Sequence, residues 1–130
     1  MLFDIHNLKK ECVYKKVMEK LTTKRCVACE GAVQPLTRKE FTPYLKQIKE
    51  WNVIKNKKIE REFKVKNFKE ALNFINKIGE IAEQEHHHPD IFLYNWNNVK
   101  ITSYTHAIQG LFVNDFIVAA KIDKAFEKLS

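Results

Sequence analysis

Glycine and proline are scarce in this sequence, with three of each in 130 residues. Collagen-like and low-complexity states are built from those residues, so both are excluded. No apolar run approaches the roughly 20 residues that span a bilayer, and no membrane partner is expected. The first twenty residues mix Asp4, Glu11 and Glu19 with lysines and hold no continuous apolar core. Neither a secretory signal nor an acid-poor transit segment is therefore expected, which leaves the cytoplasm as the default location. Cysteine is also sparse, and among Cys12, Cys26 and Cys29 only Cys26-Val27-Ala28-Cys29 has a recognised spacing. A structural zinc site takes four ligands, and a redox pair usually sits at a helix start beside a βαβ pattern. Neither context is evident, so reduced unpaired thiols are expected, with a metal half-site as the alternative.

What remains is the composition of a globular chain, 45% hydrophobic and long enough for one domain with a real core. The net charge of +7 is lopsided. Residues 1–64 hold 16 basic and 8 acidic side chains, whereas residues 65–130 hold 7 and 8. A basic half can dock nucleic acid. However, lysines such as Lys9, Lys10, Lys15, Lys16, Lys57 and Lys58 are scattered, and no nucleic-acid signature accompanies them. They read as a solvated surface, and nucleic acid is not an expected direct partner.

Along the chain, residues 1–34 read as an N-terminal extension, helical or partly ordered. Val13, Val17 and Leu21 fall at helical spacing, and the extension carries the Cys-x-x-Cys. Residues 35–130 read as the main domain. Thr37 and Glu40 have the spacing of a capping box. Phe41, Leu45 and Ile48 then share one helical face, with Pro43 predicting a bend or a restart capped by Thr42. Trp51–Ile54 and Ile59–Val65 form a predicted hairpin around Asn56-Lys57, the second strand alternating between apolar and charged residues. Asn67 with Glu70 starts a long helix to about Glu85, whose predicted buried stripe is Phe68, Ala71, Leu72, Ile75, Ile78 and Ala82, widened by Phe74 and Ile81. A second hairpin joins Phe92–Trp96 to Val99–Thr105 around Asn97-Asn98. A last helix is predicted from about Asn114, burying Phe116, Ile117, Ala120 and Ile122. Hairpins with helices between them indicate an α+β fold, an antiparallel sheet covered on one face by helices.

The most informative stretch is Glu83-Gln84-Glu85-His86-His87-His88-Pro89. It lies where the long helix must stop, because Pro89 disfavours helical geometry at His88. His106 follows at the far end of the second hairpin. Imidazole titrates nearest neutrality and suits proton transfer. It is also the commonest metal ligand, but His87 and His88 are adjacent on an extended segment and point to opposite faces. No His-Glu-x-x-His zinc helix is present either. Acid–base catalysis needs an imidazole and a carboxylate to orient it, and Glu83, one turn back from His87, can serve.

Glu83-x-x-x-His87-His88-Pro89, Thr105-His106, Gly110-Leu111 and Asp115 together resemble the signature of the pterin-4a-carbinolamine dehydratases. The resemblance covers about residues 35–128, including Trp51 in the first strand. Cys26-x-x-Cys29-x-Gly31 resembles an extension seen on some bacterial and plastid relatives. The resemblance implies helices on one face of a four-stranded antiparallel sheet, usually in homodimers or homotetramers. It implies a hydro-lyase that takes a pterin substrate, 4a-hydroxytetrahydropterin, to quinonoid dihydropterin and water, recycling a tetrahydrobiopterin-type cofactor of aromatic amino acid hydroxylases. The enzyme itself would use no cofactor or metal. His87, His88 and His106 are the implied catalytic residues, and Glu83, Asp115 and Trp51 the implied substrate-binding or orienting ones. The sequence departs from the family pattern in three places. The segment from Pro89 to His106 is one residue longer than in animal-type members, leaving Tyr94 and Trp96 as rivals for one aromatic position. Phe112 replaces a helix-capping Ser or Thr, and His86 is an extra histidine. The alternatives are a non-catalytic dimerisation or assembly factor on the same scaffold, and a metal-binding module using Cys26, Cys29 and the histidines.

Overall fold

A computed structural model of the chain describes residues 20–27 and 33–129. Val13, Val17, Cys12, Cys29 and Gly31 lie outside the described residues. In the second predicted strand, Ile59, Phe63 and Val65 are buried while Glu62 and Lys64 are exposed, so its apolar side faces a core. That strand, β2 (Lys58–Lys64), follows β1 (Asn52–Ile54); β3 (Asp90–Tyr94) and β4 (Asn98–Ser103) form the second hairpin. The sheet order is β1-β2-β4-β3 and every pairing is antiparallel. The helices are α1 (Arg38–Leu45), α2 (Phe68–Glu85) and α3 (Val113–Glu127), with short 3-10 turns at Leu21–Thr23 and His106–Ile108. The expected α+β fold, a four-stranded antiparallel sheet with helices, is what the chain forms.

Helix α1 starts at the expected capping box, in which Thr37 Oγ1 accepts from Glu40 N–H and Glu40 Oε1 accepts from Thr37 N–H. Of the two expectations at Pro43, a bend or a restart capped by Thr42, the restart does not occur: Pro43 lies inside one helix that begins at Arg38. Thr42 instead donates its hydroxyl to the Arg38 carbonyl. Both hairpin turns fall one or two residues earlier than expected. Lys55 and Asn56 take positive φ in the first, and Asn95 and Trp96 in the second. Trp96 is thus a turn residue, while Tyr94 lies in β3 and stacks on Phe92. Asn97 tethers the hairpin: its side chain donates to the Val65 carbonyl, and its own carbonyl accepts from Val65 N–H.

Helix α3 is the centre of the core. Every residue from Asn114 to Ala120 is buried, so no single amphipathic stripe describes it. Phe116 packs against Phe41 and Tyr44, and Phe126 against Phe63 and Phe74. Inward-facing Arg61 is accommodated by an ion pair to Asp123 at 2.7 Å and by lying over the Phe63 and Phe126 rings. Burial raises the Asp123 carboxyl above its ordinary value, although the Trp51 and Arg61 donors oppose that shift. The long helix departs from expectation at two positions. Phe68 and Leu72 are 49% and 42% exposed, because the stripe that meets the core is Ala71, Phe74, Ile78 and Ala82.

The segment before α1 is pinned to these helices. Leu21 is buried and its N–H donates to Gln47. Cys26 N–H donates to Glu85, which also pairs with Lys121. Asn114 bonds Val27 in both directions, donating to its carbonyl and accepting from its N–H. Pro35 rests on Gly110, where a Cβ would stand 2.6 Å from the proline Cβ, and Leu36 N–H donates to the Leu111 carbonyl. The Gly110-Leu111 pair is therefore a seam that only a residue without a side chain can close.

Helix α2 ends in a Schellman reversal. His86 takes the left-handed conformation (φ 52°), its N–H reaches Glu83 O, and His87 N–H returns to Ala82 O at 3.2 Å. The extra histidine thus occupies a position that glycine fills at lower cost. His86→Gly is expected to stabilise the fold by about 1 kcal/mol, read as a higher midpoint in urea at unchanged slope. The strap yields a second expectation. Burial, reinforced by the Glu85 carboxylate, pushes the Cys26 thiol up to about 12. Its thiolate at pH 8 is then scarcer by roughly 10³ than in an ordinary cysteine. Peptide-mapped alkylation of Cys26 should be slow by about that factor until denaturant is added.

Candidate active site

Asp115 sits in the first turn of α3 and is completely buried. A buried carboxylate is costly unless its oxygens are satisfied. Here Oδ1 contacts His87 Nε2 at 2.7 Å and accepts from Ser103 Oγ at 2.7 Å. Oδ2 accepts from Thr105 Oγ1 at 2.8 Å and from Phe112 N–H at 3.0 Å. The last bond explains how α3 begins at Val113, one residue before the expected start: Phe112 offers no side-chain acceptor, and Asp115 caps the helix from within. All four partners are protein groups, two on each oxygen.

This carboxylate brings together pieces that are distant in sequence. His87 follows α2, and Thr105 directly precedes His106 after β4. Because Asp90 pairs with Thr102, the start of β3 and the end of β4 lie at the same end of the sheet. A bridge between Thr105 and Gly110 closes the loop that holds His106 in the first position of its 3-10 turn.

The three neighbouring histidines have three different settings. His86 is exposed at the helix stop, and His87 is buried on Asp115. His88 is exposed, with Nε2 2.9 Å from Glu83 Oε1. Glu83 therefore pairs with His88, five residues on, rather than with His87. A carboxylate facing Nε2 favours the tautomer with its proton there, leaving Nδ1 of His87 and of His88 with a lone pair when neutral. His106 is exposed, and its ring nitrogens have no hydrogen-bond partner among the described residues. Its ring lies 4.1 Å from the Tyr104 ring, centroid to centroid.

Trp51 is not part of this arrangement. It is buried, its indole N–H donates to Asp123 at 2.8 Å, and its ring meets Phe63 edge-on. Its one polar atom is thus used within the core. Cys26 is likewise spoken for, with its thiol 3.5 Å from the Asn114 carbonyl. Among the described residues no group of three His, Cys, Asp or Glu side chains is placed to hold a metal ion. No helix among them is long and apolar enough to cross a membrane. Sequence reasoning missed Ser103 and Thr105. The signal was available: they continue the inward positions of Val99 and Ile101, and two hydroxyls on a core-facing stripe need a buried acceptor.

Comparison with known proteins identifies the family. The family model described as Pterin 4 alpha carbinolamine dehydratase matches residues 34–125. A protein of Alkaliphilus metalliredigens, provisionally named a pterin-4-alpha-carbinolamine dehydratase, is 50% identical over 108 residues, covering 82% of this chain and 96% of its own. Arabidopsis thaliana pterin-4-alpha-carbinolamine dehydratase 2, named as mitochondrial, is 42% identical over 108 residues, which are 80% of this chain and 58% of the plant protein. A crystal structure named transcriptional coactivator/pterin dehydratase, from Brucella melitensis, superposes with a TM-score of 0.66 at 30% identity, covering 71% of this chain and 98% of the other. With its fold and these matches in agreement, the chain belongs to the pterin 4 alpha carbinolamine dehydratase family.

Proposed function

We propose that this dehydratase removes water from 4a-hydroxytetrahydropterin by acid–base catalysis on histidine, with His88 and His106 as the proton-transfer pair. The observation that carries the reading is the carboxylate–imidazole pairing: His88 on Glu83 and His87 on Asp115, with His106 displayed from the loop that the same Asp115 anchors. In the reaction the N5 lone pair expels the C4a hydroxyl. An imidazolium protonates that oxygen as the C–O bond breaks, so water leaves, and a neutral imidazole takes a ring proton to give the neutral quinonoid dihydropterin. An exposed imidazole suits this work because it must meet a substrate and exchange protons with solvent. His87 has Nε2 committed to Asp115 and offers Nδ1 to bind and polarise the pterin. The reading needs neither a cofactor nor a metal.

The reading also includes a homo-oligomer. Phe68 and Leu72 on α2, with Phe92 and Trp96 on the second hairpin, are large apolar side chains left exposed on a single copy. A second copy of the chain is the occupant that the family resemblance favours. Sedimentation of the purified chain checks this, and a monomer at all concentrations would count against it.

Stopped-flow absorbance should show faster formation of quinonoid dihydropterin from freshly generated 4a-hydroxytetrahydropterin, with the acceleration surviving chelator. His88→Ala and His106→Ala are each expected to lose on the order of 10²–10⁴ in rate. Turnover close to wild type in both variants would sink the assignment. No acceleration by the folded wild-type protein would instead favour the non-catalytic scaffold. The two carboxylates should separate by their effect on stability. Asp115→Asn turns part of an acceptor toward four donors, and is expected to cost about 2–4 kcal/mol of folding stability as well as activity. Exposed Glu83→Gln should lower turnover while leaving the denaturation midpoint within experimental scatter.

A further inference from the structure

Of the three imidazoles in the proposed site, two are aimed by carboxylates and one is not. His87 has Asp115 at 2.7 Å and His88 has Glu83 at 2.9 Å, but no side chain bonds the ring nitrogens of His106 among the described residues. Its one ring contact among the described residues is Tyr104, at 4.1 Å between centroids and 45° between planes. The same Tyr104 ring carries Lys58, whose Nζ lies 4.5 Å from its centroid. The register explains why these three meet. Ile59 pairs with Ser103, and one step further along both strands brings Lys58 opposite Tyr104. Tyr104 also stands between Ser103 and Thr105, whose hydroxyls both end on buried Asp115. Its neighbours on either side are therefore held by one buried carboxylate.

We propose that Tyr104 is the positioning residue of His106, with Lys58 holding the Tyr104 ring in place. The proposal rests on the reading of His106 as one of the proton-transfer pair. Proton transfer requires an imidazole within hydrogen-bond reach of the reacting atom. An exposed imidazole with no hydrogen bond divides its time among several side-chain rotamers. A ring packed against it selects one of them without using either nitrogen, which leaves both free for the substrate and for solvent. Tyr104 acts through the face of its ring in this scheme, and its hydroxyl is not required. An aromatic contact of this kind biases a population by about threefold to tenfold.

The test combines a spectroscopic readout with kinetics on the full chain. The ring C–H signals of His106, identified by their loss in His106→Ala, should be displaced by the Tyr104 ring current in a proton–carbon correlation spectrum. That displacement should persist in Tyr104→Phe, shrink in Lys58→Ala and vanish in Tyr104→Ala. In turnover, Tyr104→Ala should lower kcat by about threefold to tenfold with KM within about twofold, and Tyr104→Phe should restore it. Unmoved His106 signals in Tyr104→Ala would overturn the proposal. So would a raised KM at unchanged kcat, because the ring would then be touching substrate rather than His106. If Tyr104→Ala does not fold, Lys58→Ala, a change at the partly exposed start of β2, carries the spectroscopic arm alone. Should the wild-type protein show no dehydration, the catalytic reading fails, yet the spectra still decide whether Tyr104 positions His106.

Discussion

The buried carboxylate of Asp115 is the constraint on which the rest of the structure depends. An unpaired charge in that position would be prohibitive, so the surrounding chain is arranged to deliver four partners to it. Those partners come from the segment after α2, the inner face and end of β4, and the backbone ahead of α3. One side chain thereby sets where α3 begins, how the His106 loop leaves the sheet, and which way His87 faces. A network of this kind is worth more than its separate bonds, because losing any donor leaves the remaining charge less well satisfied.

Around that anchor the three consecutive histidines take on unrelated tasks. His86 turns the helix, in a backbone conformation that glycine or asparagine more commonly adopts. The turn swings His87 back under Ala82 and into the core, and His88 then emerges on the exposed side beside Glu83. Adjacent residues on an extended segment alternate sides, so a burial difference between His87 and His88 follows from the reversal itself. The segment containing Cys26 is drawn against the same helices by Glu85 and Asn114. A thiol pushed to about 12 there is a packed, protonated group, with little thiolate for redox or metal chemistry.

Much of the fold was legible in the sequence, for local reasons. The capping box of α1, the alternation through β2 and the apolar period of α2 are each set by neighbours within a few residues, and they came out in order and near their expected places. The failures were also physical. Phe68 and Leu72 satisfy the helical period, but the period does not say how wide a strip the neighbouring elements cover. Trp96 has strand-like chemistry, yet the hairpin turned two residues earlier, where Asn95 and Trp96 accept positive φ. Pro43 suggested a break. Inside a helix of only eight residues its missing donor costs one bond, while the Thr37 box and the burial of Phe41 and Tyr44 hold the helix together.

By itself the sequence determined the class of the fold, the place where the long helix must end, and the residue types available for proton transfer. These follow from periodicity, from proline, and from the titration range of imidazole, all of which are properties of short stretches. Tertiary structure alone decided the pairings: Glu83 with His88 and not His87, Asp115 with His87 across the interior, Trp51 with Asp123 in the core. It also brought Tyr104 against His106 and Lys58 over Tyr104. Those choices depend on strand register and on which oxygens are left to satisfy once the core has closed. No spacing along the chain encodes them, because the partners lie on different strands and helices and meet only across the packed interior.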